Sequence, residues 1–190
     1  MITNYSNKEY RLYTTKAIKQ IMCNIARAIN AQVYVELGLR RFNTINLLVD
    51  VVPRCIGIDV LDKWYKQGLC DKRVEFYNMT TDEFYKYYNE NINVPIDLLF
   101  IDAKHTYAQS YKDFLNYKNL VSDNGIILLH DSFPPTCKYS NSDGDMCGEV
   151  WKTAIKIKES HSKECELCTI PGGFGLSIIR MNHGRQVSWI

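Results

Sequence analysis

Two runs of large apolar residues dominate the hydrophobic pattern, and both stop abruptly at ionisable side chains. Ile96-Asp97-Leu98-Leu99-Phe100-Ile101 runs into Asp102-Ala103-Lys104-His105, and Gly125-Ile126-Ile127-Leu128-Leu129 runs into His130-Asp131-Ser132. Each run is short enough for a strand buried on both faces. The helix-length segment between them, about Tyr107 to Leu120, makes the pair a β-α-β unit with parallel strands. Asp102, His105, His130 and Asp131 then gather at one carboxyl edge, where open α/β sheets place their ligands.

The rest of the chain keeps this alternation. Leu12, Ile18, Ile21, Met22, Ile25 and Ile29 recur at three- and four-residue steps and predict an amphipathic helix closed by Asn30. Val33–Leu37 is a first strand, Thr44–Val52 a short helix ended by Pro53, Cys55–Val60 a second strand and Val74–Tyr77 a third. Thr80-x-x-Glu83 is a capping box that opens a tyrosine-rich helix. Beyond a long polar loop, Glu149–Lys158 reads as a helix. Leu167–Ile170 and Leu176–Arg180 follow as strands joined by Pro171-Gly172-Gly173-Phe174-Gly175, a hairpin-like connection. The expected fold is a single α/β domain over residues 1–190, with residues 1–30 as an N-terminal helical segment. Its doubly wound, mostly parallel seven-stranded sheet carries an antiparallel C-terminal hairpin strand.

Composition narrows the function classes. With 23 Lys+Arg against 21 Asp+Glu in 190 residues, the net charge of +2 gives no strong pull toward nucleic acid or a membrane surface. The start lacks a signal peptide's basic and apolar regions, and no apolar run approaches the ~20 residues needed to span a bilayer. Seven scattered cysteines suit reduced thiols in a cytoplasmic protein. Cys165-x-x-Cys168, with Cys137 and Cys147 at irregular distances, falls short of the two paired knuckles of a structural zinc site.

In their order and spacing these pieces resemble the class I S-adenosylmethionine-dependent methyltransferases over nearly the whole chain. The likeness is nearest to small-molecule O-methyltransferases of the macrocin and catechol types. It is carried by Val35-Glu36-Leu37-Gly38 after the first strand, Ile58-Asp59 after the second and Phe100-Ile101-Asp102-Ala103-Lys104-His105 after the fourth. His130-Asp131 after the fifth and the terminal Gly173-Phe174-Gly175-Leu176 complete it. The resemblance implies S-adenosyl-L-methionine as cofactor. The Gly38 loop would pass beneath its methionine part, Glu36 would lie near its amino group, and Asp59 would accept the ribose hydroxyls. Asn78, Met79 and Thr80 would meet the adenine, and Thr44 stands where relatives carry Ser or Thr. Simpler roles compete: Gly38 as a turn glycine, Thr80 as a helix cap. Phe42 departs from the pattern, since relatives place a second glycine there. A bulky residue at positive φ is unfavourable, so either the loop runs differently or Phe42 takes an ordinary conformation.

The chemistry to be done is deprotonation of a neutral hydroxyl beside a sulfonium methyl group. A divalent cation, Mg²⁺ or Mn²⁺, lowers that hydroxyl's pKa. The resemblance gives its ligands as Asp102 (also a neighbour of the cofactor), His130 and Asp131; imidazole at position 130 favours Mn²⁺, Fe²⁺ or Zn²⁺ over Mg²⁺. Alternatively Asp102 caps the next helix and His130 packs over the sheet edge. His105 stands where some sugar-modifying relatives place a general base, which suits a group titrating near neutrality; it could equally be a carboxylate's partner. Lys104 either stabilises an incipient oxyanion or faces solvent. Tyr107 and the loop from Ser132 to Gly148, with Asp143 and Asp145, would border the acceptor.

Other classes fit less well. Gly38-Leu39-Arg40-Arg41-Phe42 breaks the G-x-G-x-x-G of a nicotinamide enzyme. Ser132-Phe133-Pro134-Pro135 only faintly resembles the tetrad of nucleic-acid amino-methyltransferases and follows the wrong strand. His130-Asp131 ends a strand, whereas the dyads of HD-type phosphohydrolases sit on helices. The expected partner is a small-molecule acceptor, a sugar or other hydroxyl compound, with the N-terminal helix available for a homodimer. The rival expectation is a degenerate methyltransferase-like module that binds a ligand or partner without catalysis.

Overall fold

The computed structural model describes residues 7–141 and 146–182, with side chains from position 16 onward. Asp143, Asp145 and the side chain of Leu12 lie outside the described residues. Seven strands form one sheet in the order β3-β2-β1-β4-β5-β7-β6. They are β1 (Val33–Leu37), β2 (Arg54–Ile58), β3 (Val74–Tyr77), β4 (Ile96–Ile101), β5 (Val121–His130), β6 (Cys165–Ile170) and β7 (Leu176–Met181). The first five run parallel, and β7 enters antiparallel between β5 and β6. β5 is longer than its apolar run because it also takes in Val121 through Gly125, with a register shift against β4 between Ile96 and Leu98.

Alternate residues of the central strands serve two separate cores, as burial on both faces requires. Val35, Leu37, Leu99, Ile127 and Leu129 pack beneath α4 (Thr81–Tyr87), α5 (Tyr107–Tyr117) and α6 (Val150–Ser160). Tyr34, Leu98, Phe100 and Leu128 pack beneath α1 (Asn7–Ala28) and α2 (Ile45–Leu48). The Thr80–Glu83 capping box forms as its spacing predicts. The expected Thr44–Val52 helix is a single turn followed by tight turns up to Val52. The sequence did not foresee α3 (Lys63–Lys66), a single turn after β2 with no buried residue, or the 3-10 turn Cys137–Tyr139.

The β1–α2 loop corrects the expectation for Phe42, which does adopt the left-handed conformation, with φ +60°. Its amide donates to the Leu39 carbonyl and its own carbonyl accepts from the amide of Asn46 in α2. The ring is fully buried, edge-on to Phe76 at 5.6 Å. The left-handed backbone costs ~1–2 kcal/mol, whereas burying a phenylalanine contributes ~1.5–3 kcal/mol. Burial therefore outweighs strain, and the loop keeps its turn without the second glycine.

A buried polar cluster joins α4 to α5. Asp113 is fully buried; its Oδ1 accepts from Thr81 Oγ1 at 2.6 Å and Gln109 Nε2 at 2.9 Å, while its Oδ2 has no partner. Burial pushes its carboxyl up to about 6. Because the folded value lies above the unfolded ~3.9, the native state binds the extra proton. The contribution of this carboxyl to stability is therefore fully present below pH ~4 and is lost as pH rises through 6. Asp113→Asn keeps the acceptor and removes the charge. Its stability relative to the native chain is expected to improve by up to ~3 kcal/mol between pH 4 and pH 8. Urea denaturation at both pH values measures this; a pH-independent difference would refute it.

Candidate active site

The carboxyl ends of β1, β2, β4 and β5 converge on one edge. Gly38, at φ +92°, lies so close to the β4 loop that a Cβ there would come within 2.3 Å of the Asp102 carbonyl oxygen. Its lack of a side chain thus lets two strand-end loops touch. Asp102 extends the β1–β4 ladder by donating its amide to the Leu37 carbonyl at 2.9 Å. Across the sheet, Phe133 donates its amide to the Phe174 carbonyl, and a Cβ on Gly175 would meet the Phe133 backbone nitrogen at 2.2 Å. This clasp ties the β6–β7 hairpin to the loop that follows Asp131.

Four ionisable groups close into a ring at this edge. Asp102 Oδ1 lies 3.4 Å from His105 Nε2 and 3.1 Å from His130 Nδ1. Asp131 Oδ2 lies 3.3 Å from each of the same nitrogens. Asp131 is buried at φ +57°, and His130 stands edge-on to Phe100. The loop after β5 holds His105 at two points: Met146 O pairs with its Nδ1, and its own carbonyl accepts from the Glu149 amide at 2.8 Å. A proton shared with a carbonyl must reside on Nδ1, which leaves Nε2 to face the acid pair.

The charges in the ring support one another. Burial alone would raise Asp102, but the imidazoles of His130 and His105 outweigh it and hold the carboxyl at about 2. Burial alone would lower His105, yet the carboxylates of Asp102 and Asp131 lift it to about 9, and they raise His130 well above its ordinary value. The carboxylates thus favour the charged form of His105 while their field is uncompensated.

The donor set fits a divalent cation. Ligand atoms of Asp102, His105 and Asp131 all lie within 4.8 Å of one another. The hydrogen bond from His105 Nδ1 to a backbone carbonyl is the outer-shell support that metal-binding imidazoles use. His105, expected as a base, thus approaches the acids as closely as His130, expected as a ligand. Lys104 is exposed beside them. Of the Cys165-x-x-Cys168 pair, which the spacing already made a poor zinc site, Cys165 is buried and Cys168 exposed, three residues apart on one strand and so on opposite faces.

The expected cofactor residues are brought to the same edge with different local tasks. Glu36 is buried, and its Oε2 accepts from Tyr34 Oη at 2.7 Å. Burial pushes its carboxyl well up. Tyr34 went unnoticed in the sequence, although a spacing of two on a strand puts both side chains on one face. Asp59 Oδ2 accepts from the amides of Leu39 at 3.0 Å and Arg40 at 2.7 Å, and Oδ1 accepts from Leu61 at 2.7 Å. Three of a carboxylate's roughly four acceptor sites are thereby engaged by loop amides. Asn78 is exposed and donates to the Asp59 carbonyl, and Met79 packs against the core. The Thr80 hydroxyl is engaged with Glu83, and Thr44 begins α2 without a side-chain cap. Tyr107 stacks on Tyr111 and donates its amide to Glu149 Oε2.

Comparisons with known proteins agree with this layout. No curated protein matches the chain. A protein of Staphylococcus aureus described as a caffeoyl-CoA O-methyltransferase superposes with a TM-score of 0.69 at 15% identity, covering 87% of this chain and 83% of that one. An O-methyltransferase of Bacillus cereus, in complex with S-adenosylhomocysteine, gives 0.63 at 13% identity over 95% and 93%. The MycE methyltransferase of mycinamycin biosynthesis, in complex with Mg and S-adenosylhomocysteine, gives 0.63 at 15% identity; the match covers 90% of this chain and 52% of that one. A family model described as a methyltransferase domain matches residues 24–132, which hold both strand-end acids and the Gly38 loop. The chain belongs to that methyltransferase family and has the class I S-adenosylmethionine-dependent fold.

Proposed function

We propose that this methyltransferase transfers the methyl group of S-adenosyl-L-methionine to a hydroxyl oxygen of a small molecule, a sugar or a similar compound, with help from a divalent cation. The observation that carries the reading is the ring of Asp102, His105, Asp131 and His130 beside the Gly38 loop. Asp102 and Asp131, with imidazole support, would hold Mg²⁺ or Mn²⁺; the Mg found with MycE supports this. When bound, the cation would lower the pKa of a coordinated hydroxyl and cancel the acid field that keeps the imidazoles charged. His105 Nε2 would then take the acceptor's proton, its tautomer fixed by Met146. Lys104 would stand at the rim, able to meet negative charge on the acceptor oxygen. Holding donor and acceptor in line supplies much of the remaining rate. No helix among the described residues is long and apolar enough to cross a membrane, in keeping with a cytoplasmic site of action.

Calorimetry with S-adenosylhomocysteine tests the cofactor half of this reading. The native chain is expected to bind one equivalent with or without Mn²⁺. Asp59→Ala is expected to weaken binding at least tenfold, since one hydrogen bond to a charged group is worth ~1.5–3 kcal/mol. Because three loop amides depend on Asp59, the same change is also expected to lower the melting temperature. Unchanged affinity in Asp59→Ala would remove that residue from the site. No binding by the native chain would favour the non-catalytic module.

A further inference from the structure

α1 buries one stripe of side chains, and one member of that stripe carries a charge. Met22, Cys23 and Ala26 are buried on α1, and Lys19 lies one turn before the first two and two turns before the third. It is half-buried and forms no ion pair among the described residues. A lysine on a buried stripe is uncommon unless something pairs with it.

Chain geometry places Lys19 at the ligand edge. α1 ends at Ala28 and the chain turns through residues 29–32 into β1, so helix and strand run antiparallel over a shared core of Ile18, Met22, Tyr34 and Phe100. Nine residues of helix raise Lys19 by ~14 Å above Ala28. Three residues of strand raise Glu36 by ~10 Å above Val33. The four-carbon stem of Lys19 therefore reaches the level of Glu36 and the Gly38 loop.

The local charge balance is one-sided. Glu36 feels the carboxylates of Asp102 and Asp59, and the charge of Lys19 opposes them. Glu36 in turn is the one charged group that acts on Lys19. A buried acid, and a half-buried cation that forms no ion pair among the described residues, match the two ends of an α-amino acid zwitterion. The cofactor's methionine tail is such a group.

We propose that Lys19 binds the α-carboxylate of the cofactor's amino-acid tail, opposite Glu36, which binds its ammonium group. This rests on the cofactor reading above and makes α1 part of the binding site.

Calorimetry with three ligands tests it: S-adenosylmethionine, its decarboxylated form (which lacks only the carboxylate), and 5′-methylthioadenosine, which lacks both charged groups. The native chain is expected to prefer S-adenosylmethionine over the decarboxylated form by roughly 10–100-fold, the range of one hydrogen bond to a charged group. Lys19→Met is expected to shrink that ratio at least tenfold and to leave methylthioadenosine affinity unchanged. Lys19→Arg should keep most of the preference. A Lys19→Met protein that retains the full preference, or that binds all three ligands equally more weakly, overturns the assignment. If the native chain binds none of the three, the cofactor reading fails and this inference fails with it; binding without a carboxylate preference sinks the role of Lys19 alone.

Discussion

Chelation of divalent cations is expected to abolish methyl transfer while leaving S-adenosylhomocysteine binding largely unchanged. Asp102 and Asp131 approach each other from the ends of adjacent strands, and each contacts both imidazoles. A cation there supplies several kcal/mol of charge stabilisation to a developing alkoxide, so its removal is expected to cost ~10³-fold or more in rate. Mn²⁺ is expected to restore activity better than Mg²⁺, because imidazole donors favour it. Asp102→Asn and Asp131→Asn should behave like the chelated protein. Removing either acid also leaves two raised imidazoles short of negative charge, so both variants should be checked by thermal melting before rates are compared. Full activity in chelator would remove the metal and leave His105 as the only activating group.

His105→Ala is expected to lower kcat by roughly 10²–10⁴-fold, the usual contribution of a positioned base, with little change in cofactor KM. Metal content decides what the loss means. If His105 acts as the base, the variant keeps its bound cation and loses the rise of rate with pH expected of the native chain. If the cation leaves with the side chain, His105 is a ligand and the proton goes elsewhere. A fully active His105→Ala protein would reduce the residue to a partner of Asp102. Met146 offers a control, because it holds His105 through a backbone carbonyl. Met146→Ala preserves that group, and it should leave the rate near that of the native chain.

The ends of β4 and β5 were legible because their signals are local. An apolar run buried on both faces must stop where ionisable groups begin, and parallel neighbours must stop on the same side, so Asp102, His105, His130 and Asp131 had to meet. The capping box at Thr80 was equally local, with partners three residues apart. Phe42 was not legible in this way. Its left-handed backbone is offset by packing against Phe76, 34 positions along the chain.

Longer-range contacts decided the rest. Asp59 reads as a ribose acceptor from its place after β2, yet the fold brings the amides of Leu39 and Arg40 onto it across adjacent strand ends. The tautomer of His105 depends on Met146, 41 positions away, through a backbone atom that any residue could offer. The insertion of β7 between β5 and β6 depends on pairing with a strand more than 40 positions earlier. Periodicity and strand ends thus determined the elements and the edge where the chemistry gathers. Only the tertiary structure decided which groups are charged, filled or free there, because those properties depend on burial and on partners that sequence spacing does not encode.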